Sequence, residues 1–302
     1  MGGHPIVQNG SIVNLGLVVS TLGRAEPLER LLESLTPQLR ADDRVVIVAQ
    51  DRLADIERLA EAFRSDTVSI DVTTSPRGAS RGRNAGVARL EPGERLLHFP
   101  NDTTWFPAGM LAAIRDAAPR ITAGALTVVD EYGPKFTLPP AGTPLDRWNA
   151  WNVIEMGLLM QRSVFDELGG FDPGIGTGAQ TPWQAGEATD LLLRLVERRP
   201  DLAAVFEWLP PEVSVGGIAD ARGLSSAERR RKLRAYGRGL GRVVVRHRYP
   251  AWWRFAFLFG GLAFGIRHRP GFAVADGWWV FLGRAEGMAG HALGGATEAV
   301  TR

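Results

Sequence analysis

Apolar residues along the first 130 positions follow two alternating patterns. Runs of consecutive apolar residues, typical of strands buried on both faces, occupy 14–21, 43–50, 69–75 and 94–100. The segments between them, at 26–39, 53–64 and 80–90, have helical periodicity, although the last is expected to start as a loop. Such alternation is typical of βαβ units. It predicts an α/β fold with a mostly parallel central sheet flanked by helices.

The segment that follows is less regular. It contains a predicted strand at 123–130, a Pro/Gly-rich loop at 133–145 and an apolar run at 148–168 that fits either a strand or a helix. A glycine-rich loop of nineteen residues then spans 169–187 and leads into a predicted helix at 187–199. Because loops of this length inside compact chains are usually functional, we expect this one to contribute to a site.

Polar residues lie at the carboxyl ends of the four predicted strands. These ends read STLGR at 20–24, AQD at 49–51, SPRGASRGRN at 75–84 and PNDTTW at 100–105. Ligands of open parallel sheets bind outside the carboxyl ends of the strands. We therefore expect the four segments to converge on one crevice.

The composition is that of an ordinary globular protein, with 302 residues, 45% of them hydrophobic and 23% charged. This length predicts one large domain with an appendage. The absence of Cys excludes disulfides and thiolate metal sites and fits a reducing cytosol. The first residues lack the basic start and apolar stretch of a secretory signal, so a cytoplasmic location is expected.

Charge is distributed unevenly, although the whole chain carries only +2. The segment 221–269 has thirteen Lys or Arg and one acid, a balance of +12 that leaves −10 for the rest. This asymmetry indicates an anionic partner for the basic segment.

The basic segment includes a predicted helix at 224–250, with a serine start and a proline stop. Three glycines weaken this prediction: Gly237, Gly239 and Gly241. Five arginines recur at every fourth residue and form one slowly winding stripe on the helix: Arg230, Arg234, Arg238, Arg242 and Arg246.

Two apolar runs, at 255–266 and 271–283, follow the basic segment. Both are shorter than the ~20 residues that a membrane span needs. Their Trp and Phe residues, beside arginines, suit the lipid headgroup region. One interpretation is in-plane attachment to the inner face of the cell membrane, with the arginine stripe on anionic lipids. The other is a soluble helical subdomain packed on the core.

Asp102 is the first candidate for chemistry. A carboxylate at a strand end, inside a crevice, can hold Mg²⁺ or Mn²⁺ and through it a diphosphate. In the alternative interpretation, Asp102 and the threonines beside it form a turn or cap the next helix.

Two other segments carry groups suited to binding or catalysis. Three Arg and three Gly at 77–86, just before a helix, suit phosphate binding, and a solvated basic loop is the alternative. Glu187 and Asp190 lie near a helix start and share one face, as a general base toward a sugar hydroxyl requires. Compensation of the helix dipole is the alternative. The five scattered His are interpreted as structural or surface residues.

Taken together and in this order, six segments resemble inverting glycosyltransferases of family 2, of the bacterial type with a membrane-associated C-terminal tail. The resemblance runs from about Gly16 to Pro211. It is carried by VVSTLGRAEPLERLLESL, VVIVAQD, GASRGRNAG, FPNDTTWFP, GGFDPGIG and GEATDLLLRL. It implies a GT-A catalytic domain at 1–220 and a helical, basic and aromatic-rich C-terminal appendage at 221–302.

The resemblance also implies roles for individual residues. Those implied to bind the donor nucleotide are Ser20, Thr21, Arg24, Gln50, Asp51, Arg81, Arg83, Asn84, Asn101 and Asp102. Asp102 would hold Mg²⁺ or Mn²⁺, and Thr103 stands where the family has a second metal ligand. Because Ala188 stands where the family commonly has Asp, the base would be Glu187 or Asp190. The residues implied to contact the acceptor or the sugar are Trp105, Asp172 and Trp183.

The implied reaction moves a hexosyl or deoxyhexosyl group, with inversion, from a UDP-, dTDP- or GDP-linked donor. The acceptor would be a hydroxyl of a lipid-linked glycan or oligosaccharide, for cell-surface polysaccharide synthesis. The metal, Arg83 or both would hold the charge on the leaving diphosphate, and metal dependence stays open because Thr103 is neutral. The alternatives are a sugar-phosphate nucleotidyltransferase and a non-catalytic nucleotide-sugar or lipid-binding module. No nucleic-acid partner is expected.

Overall fold

The computed structural model describes residues 13–218, 223–268 and 271–293. The first twelve residues, on which the prediction about a secretory signal rests, lie outside these ranges. The strands are β1 (Leu15–Thr21), β2 (Arg44–Ala49), β3 (Ile70–Thr74), β4 (Leu96–His98), β5 (Ala123–Ala125), β6 (Thr127–Asp130), β7 (Gly133–Pro134), β8 (Leu158–Gln161), β9 (Glu207–Trp208) and β10 (Ser214–Gly216). The helices are α1 (Ala25–Leu35), α2 (Leu53–Phe63), α3 (Ala79–Arg89), α4 (Met110–Ala117), α5 (Arg162–Glu167), α6 (Glu187–Arg198), α7 (Pro200–Ala204), α8 (Ser226–Arg246), α9 (Ala251–Gly260), α10 (Phe264–Arg267) and α11 (Asp276–Ala289).

The central sheet has seven strands in the order β3-β2-β1-β4-β8-β5-β9. Its first four strands are parallel, with Leu17 of β1 opposite both Val45 of β2 and His98 of β4. Successive residues of β1 alternate between two cores, since Val18 packs in one and Val19 in the other. Burial on both faces explains the consecutive apolar runs. The predicted fold class, a mostly parallel sheet flanked by helices, is confirmed.

The helix α3 begins earlier than predicted, at Ala79, so the Arg-rich segment is helical and not a loop. Gly78, with φ of +130°, makes the bend before the helix. Two glycines then let the helix approach the sheet closely. A Cβ on Gly86 would lie 2.3 Å from Val18 Cγ1, and one on Gly82 would lie 2.2 Å from Ser20 Oγ. Most side chains therefore fail to fit here, which explains a glycine-rich helix.

One open assignment is resolved, and one strand prediction is corrected. The run at 148–168, which fitted a strand or a helix, forms short 3₁₀ turns, then β8, then α5. β8 is antiparallel to its neighbours β4 and β5. The single strand predicted at 123–130 is two strands: β5 joins the central sheet, and β6 joins a three-stranded sheet in the order β10-β6-β7.

The basic helix α8 forms as predicted, and a capping box starts it, with Ser225 and Glu228 as partners. The glycines of α8 do not break the helix. They lie where neighbouring backbones approach too closely for a larger side chain, so the packing holds the helix together. A Cβ on Gly239 would lie 2.1 Å from the Ala185 carbonyl oxygen, and one on Gly241 would lie 2.4 Å from that of Arg284. The helix thus packs directly against α11 and against Ala185, which lies two residues before the start of α6.

The arginine stripe makes its contacts with the protein, although Arg242 and Arg246 stay exposed, and this differs from its expected role on lipids. Four of its members pair with buried or half-buried carboxylates: Arg230 with Asp276, Arg234 and Arg238 with Glu286, and Arg246 with Asp172 and Asp190. The fifth, Arg242, lies 5.6 Å from the centre of the Trp183 ring. Within 13–218, 223–268 and 271–293, no helix combines the length and apolar character that crossing a membrane requires.

Candidate functional site

Asp102 lies in the turn after β4 and is buried. Its Oδ2 accepts hydrogen bonds from the Thr21 hydroxyl at 2.7 Å and from Arg24 Nε at 3.1 Å, and its Oδ1 accepts one from Arg24 Nη2. Thr21 ends β1, and Arg24 is the residue before α1. The carboxyl ends of two adjacent strands therefore meet at this carboxylate. The turn itself is held by Thr104, whose hydroxyl accepts a hydrogen bond from the Asn101 amide.

Arg83 connects this strand end to the start of α6. Its Nη1 donates to Glu187 Oε1 at 3.0 Å, and its Nη2 donates to Asn101 Oδ1 at 2.9 Å. Nη2 also lies 3.3 Å from Oε1 of Glu155, which accepts a hydrogen bond from Asn101 Nδ2. Arg83 and Glu187 are both buried. Since Asn101 directly precedes Asp102, residues of α3, α6 and the β4 end form one continuous polar network.

The pKa of Glu187 is raised above its ordinary value. Burial has the largest effect, and the negative charge of Glu155 raises the pKa further, against the opposing influence of Arg83. Gly176 leaves room around this carboxyl, since a Cβ on it would lie 3.2 Å from Glu187 Cδ. A carboxylate with a raised pKa is suited to accepting a proton from a hydroxyl.

Asp190, the other candidate base, lies in a separate cluster that faces α8. It is fully buried and accepts hydrogen bonds from Arg194 Nε at 3.0 Å and His247 Nε2 at 3.0 Å. Burial raises the pKa of Asp190, but the bond from His247 and the charges of Arg194 and Arg246 outweigh it, so the pKa is lowered. These contacts tie α6 to α8, and the lowered pKa suits Asp190 less well than Glu187 to accepting a proton.

The other residues assigned to the donor mostly organise the loops around the crevice. Gln50 Nε2 donates to Ser75 Oγ and to the carbonyls of Pro76 and Gly78, which fixes the segment before α3. Asp51 is exposed and pairs with Arg77 at 2.6 Å. The hydrogen bond from Arg77 lowers the pKa of Asp51.

The glycine-rich loop is fastened to α3. Asn84 accepts a hydrogen bond from the Phe171 amide at 3.0 Å and donates to its carbonyl at 2.7 Å. Arg81 Nη2 donates to Gln180 Oε1 at 3.3 Å. Ser20 packs against Gly82 of the same helix and pairs with Asn101 through a parallel bridge. The loop thus lies next to the network of Arg83, in line with its expected place at a site.

The three residues assigned to the acceptor or sugar are not brought together. Trp105 is 45% exposed and covers Gly216, where a Cβ would lie 1.8 Å from Trp105 Cε2. It lines a cavity of about 280 Å³ that Thr103 and Asp130 also line. Asp172 and Trp183 contact α8 instead, through Arg246 and Arg242.

Two polar residues at these clusters were not predicted. Glu155 lies within the apolar run that fitted either a strand or a helix, and its only signal was an isolated acid in that run. His247 is buried, with Nε2 at Asp190 and Nδ1 at 2.8 Å from Glu197 Oε1. Burial opposes protonation of His247, but the two carboxylates outweigh it and raise its pKa.

The residues around Asp102 do not fit a divalent cation. Both oxygens of Asp102 already accept hydrogen bonds from Arg24, and Asn101 Oδ1 accepts one from Arg83. Thr103 supplies only a neutral oxygen at the position of an expected second ligand. Among the described residues, no group of three or more His, Asp or Glu is placed to share a metal ion.

This chain is similar to known proteins in structure and not in sequence. No protein-family model and no curated protein matches its sequence. Solved structures match over most of the chain. A mannosyltransferase from Pyrobaculum calidifontis, in complex with GDP-Man and Mn²⁺, is similar at a TM-score of 0.51 and 16% identity, over 91% of this chain and 74% of that one.

A second similar protein is S. aureus TarS. Its residues 1–349 in complex with UDP-GlcNAc match at a TM-score of 0.52 and 11% identity, over 93% of each chain. The complex with UDP matches at a TM-score of 0.53 and 12% identity, again over 93% of each chain. The chain therefore has the fold of these proteins.

Proposed function

We propose that this protein is an inverting glycosyltransferase of family 2 that uses a nucleoside-diphosphate sugar. The observation that carries the proposal is the network in which Arg83 joins Glu187 on α6 to Asn101 at the β4 end, beside Asp102. It places a buried carboxyl with a raised pKa at the sheet edge where ligands of α/β folds bind. The shared fold with a mannosyltransferase solved with GDP-Man supports the same class of donor.

The proposed reaction is a single displacement at the anomeric carbon. The acceptor oxygen forms a bond to this carbon while the bond from the carbon to the diphosphate oxygen breaks. Glu187, as carboxylate, takes the proton of the acceptor hydroxyl, and the electrons of the broken bond leave with the nucleoside diphosphate. Arg83 holds Glu187 in place from the donor side.

The experiment that tests this function is a panel of UDP-, dTDP- and GDP-linked hexoses and deoxyhexoses, offered with oligosaccharide acceptors. Release of the nucleoside diphosphate that depends on the acceptor supports transfer. Binding of a donor, with no release of nucleoside diphosphate from any of the donors, would instead support a non-catalytic nucleotide-sugar module. Release of pyrophosphate from a nucleoside triphosphate and a sugar phosphate would support the nucleotidyltransferase alternative.

We also propose a lipid-linked glycan acceptor and attachment at the inner face of the cell membrane, for cell-surface polysaccharide synthesis. The support is an aromatic face on α9 and α11, defined by Trp252, Phe255, Phe259 and Trp278. Trp252 is 65%, Phe255 66% and Trp278 55% exposed. Phe255 stacks on Phe259, and the ring of Phe281 links Phe259 to Trp278, while Trp252, on the same helix as Phe255, contacts Trp148.

The charge around the aromatic face favours an anionic lipid surface as its partner. Carboxylates elsewhere in the protein neutralise part of the +12 of segment 221–269, but Arg248, just before α9, and Arg267, the last residue of α10, are exposed. Aromatic rings with arginines next to them are typical of segments that lie at the headgroup boundary. In this proposal the aromatic rings, and not the internally paired arginine stripe, contact the membrane.

A further inference from the structure

The pairing of Arg24 with Asp102 has an unusual geometry for a residue expected to hold a metal. Arg24 donates from two nitrogens, Nε and Nη2, to the two different oxygens of one carboxylate. Such two-pronged pairs between arginine and carboxylate are among the strongest hydrogen-bonded contacts in proteins. Thr21 adds a third hydrogen bond to the same carboxylate at 2.7 Å. Asp102 is therefore organised as a partner for an arginine.

The exposure of the two partners differs. The side chain of Asp102 is 3% exposed, whereas that of Arg24 is 43% exposed. The side chain of Arg24 is thus accessible to a ligand, while the carboxylate that it pairs with is not. A buried carboxylate that fixes an exposed guanidinium prepares that guanidinium to bind an anion, since less side-chain entropy is lost when the anion arrives.

A divalent cation at the same place would have to compete with Arg24 for Asp102, whose Oδ2 already accepts two hydrogen bonds and whose Oδ1 accepts one. The neighbouring residues supply few further oxygen ligands for a cation, because Thr103 is neutral and Asn101 Oδ1 already accepts a hydrogen bond from Arg83. Divalent cations such as Mg²⁺ need carboxylate or other oxygen ligands with free lone pairs. The oxygen atoms at this strand end therefore suit an arginine better than they suit a metal ion.

We propose that Arg24, oriented by Asp102, receives the diphosphate of the donor in place of a divalent cation. This inference rests on the proposed function, because it takes the ligand to be a nucleoside-diphosphate sugar. The chemical group recognised is the diphosphate, whose oxygens match the forked donors of a guanidinium. Arg24 is then the group that stabilises charge on the leaving nucleoside diphosphate, and Asp102 is a positioning residue. Donor binding and turnover are independent of added metal.

The test measures the dissociation constants of UDP, dTDP and GDP for the full-length protein by calorimetry, in EDTA and in added Mn²⁺. Wild-type protein is expected to bind one of them equally well in both conditions. Arg24→Ala in EDTA is expected to bind it roughly ten- to a hundredfold more weakly, as loss of charged hydrogen bonds predicts. The matched control is Arg58→Ala, which removes an exposed arginine of α2 paired with Asp55 and should bind as wild type does.

Binding by wild-type protein that requires Mn²⁺ would overturn the inference while leaving the proposed function intact. Wild-type affinity in Arg24→Ala would overturn it as well. The wild-type comparison in EDTA and Mn²⁺ needs no variant, so it still tests independence from metal if Arg24→Ala fails to fold. Absence of binding to all three nucleotides in both conditions would contradict the proposed function, and this inference with it.

Discussion

Two buried carboxylates of α6, Glu187 and Asp190, show how neighbours decide what a residue can do. Both are withdrawn from water, and burial alone raises the pKa of each. Glu187 faces one arginine and a second carboxylate, so its pKa stays raised. Asp190 faces His247 and two arginines, so its pKa is lowered. Only Glu187 therefore combines a place beside the strand-end site with the affinity for protons that a general base needs.

Glu155→Gln should change the pH dependence of turnover. Glu155 raises the pKa of Glu187 through its negative charge, so its removal lowers that pKa. Because the base must be ionised, kcat/KM falls as pH drops through the pKa of Glu187. The acid limb of the pH profile is expected to move to lower pH in Glu155→Gln and to stay in place in Glu212→Gln, which alters an exposed acid. An unmoved acid limb in Glu155→Gln would argue against Glu187 as the titrating base.

At the scale of elements, glycines set the distances between packed backbones. Gly82 and Gly86 bring α3 against β1, so that Arg83, which lies between them, reaches Asn101. Gly239 brings α8 against Ala185, just before the start of α6. The position of Glu187 therefore depends on a helix far away in the sequence.

Gly239→Ala should test this dependence. Its Cβ would lie 2.1 Å from the Ala185 carbonyl oxygen, so the backbones must separate. Overpacking of this kind typically costs about 1–3 kcal/mol. We expect a lower melting temperature and lower turnover. The control is Gly260→Ala in α9, where the nearest atom would be Arg284 Nη1 at 3.7 Å, an ordinary contact. Equal behaviour of the two variants would show that the close approach at Gly239 does not position α6.

For the whole molecule, the C-terminal helices are part of the same core as the sheet. Val243, Val244 and Tyr249 pack in one cluster with Val18 and Leu191. Five arginines of α8 pair with carboxylates of the protein, while the aromatic face is left exposed. Removal of 221–302 would uncover the core, so point substitutions on the surface are the appropriate probes of membrane attachment.

Binding to vesicles should depend on the aromatic face. The triple variant Trp252→Ser, Phe255→Ser and Trp278→Ser removes exposed rings, so the fold should persist. We expect wild-type protein to co-float with anionic vesicles, and the triple variant to bind roughly tenfold or more weakly, since an apolar side chain moved out of water contributes about 1.5–3 kcal/mol.

The matched control for vesicle binding replaces exposed apolar residues elsewhere: Leu53→Ser, Tyr132→Ser and Val205→Ser. This control should float as wild-type protein does. Equal flotation of both triple variants, or none by wild-type protein, would remove the membrane proposal. The aromatic face would then be better interpreted as a surface that binds another protein.

The sequence predicted the first half of the fold because burial on both faces of a parallel sheet leaves a clear apolar pattern, as in β1 and β2. It could not resolve β8, since an antiparallel strand in the centre of the sheet has the same apolar run as a buried helix. For the site, it singled out Asp102, Arg83 and Glu187 from residue type and order. It gave no indication that Arg24 would pair with Asp102, because such contacts depend on side-chain geometry across the sheet.

The most direct measurement compares wild-type protein with Glu187→Gln on the donor that the panel identifies. The account predicts that acceptor-dependent release of nucleoside diphosphate falls by roughly 10²–10⁴-fold in Glu187→Gln, as loss of a general base does. It also predicts that the dissociation constant of the donor nucleotide changes little, because Asp102 and Arg24 are untouched. Turnover by Glu187→Gln at the wild-type rate would contradict the account.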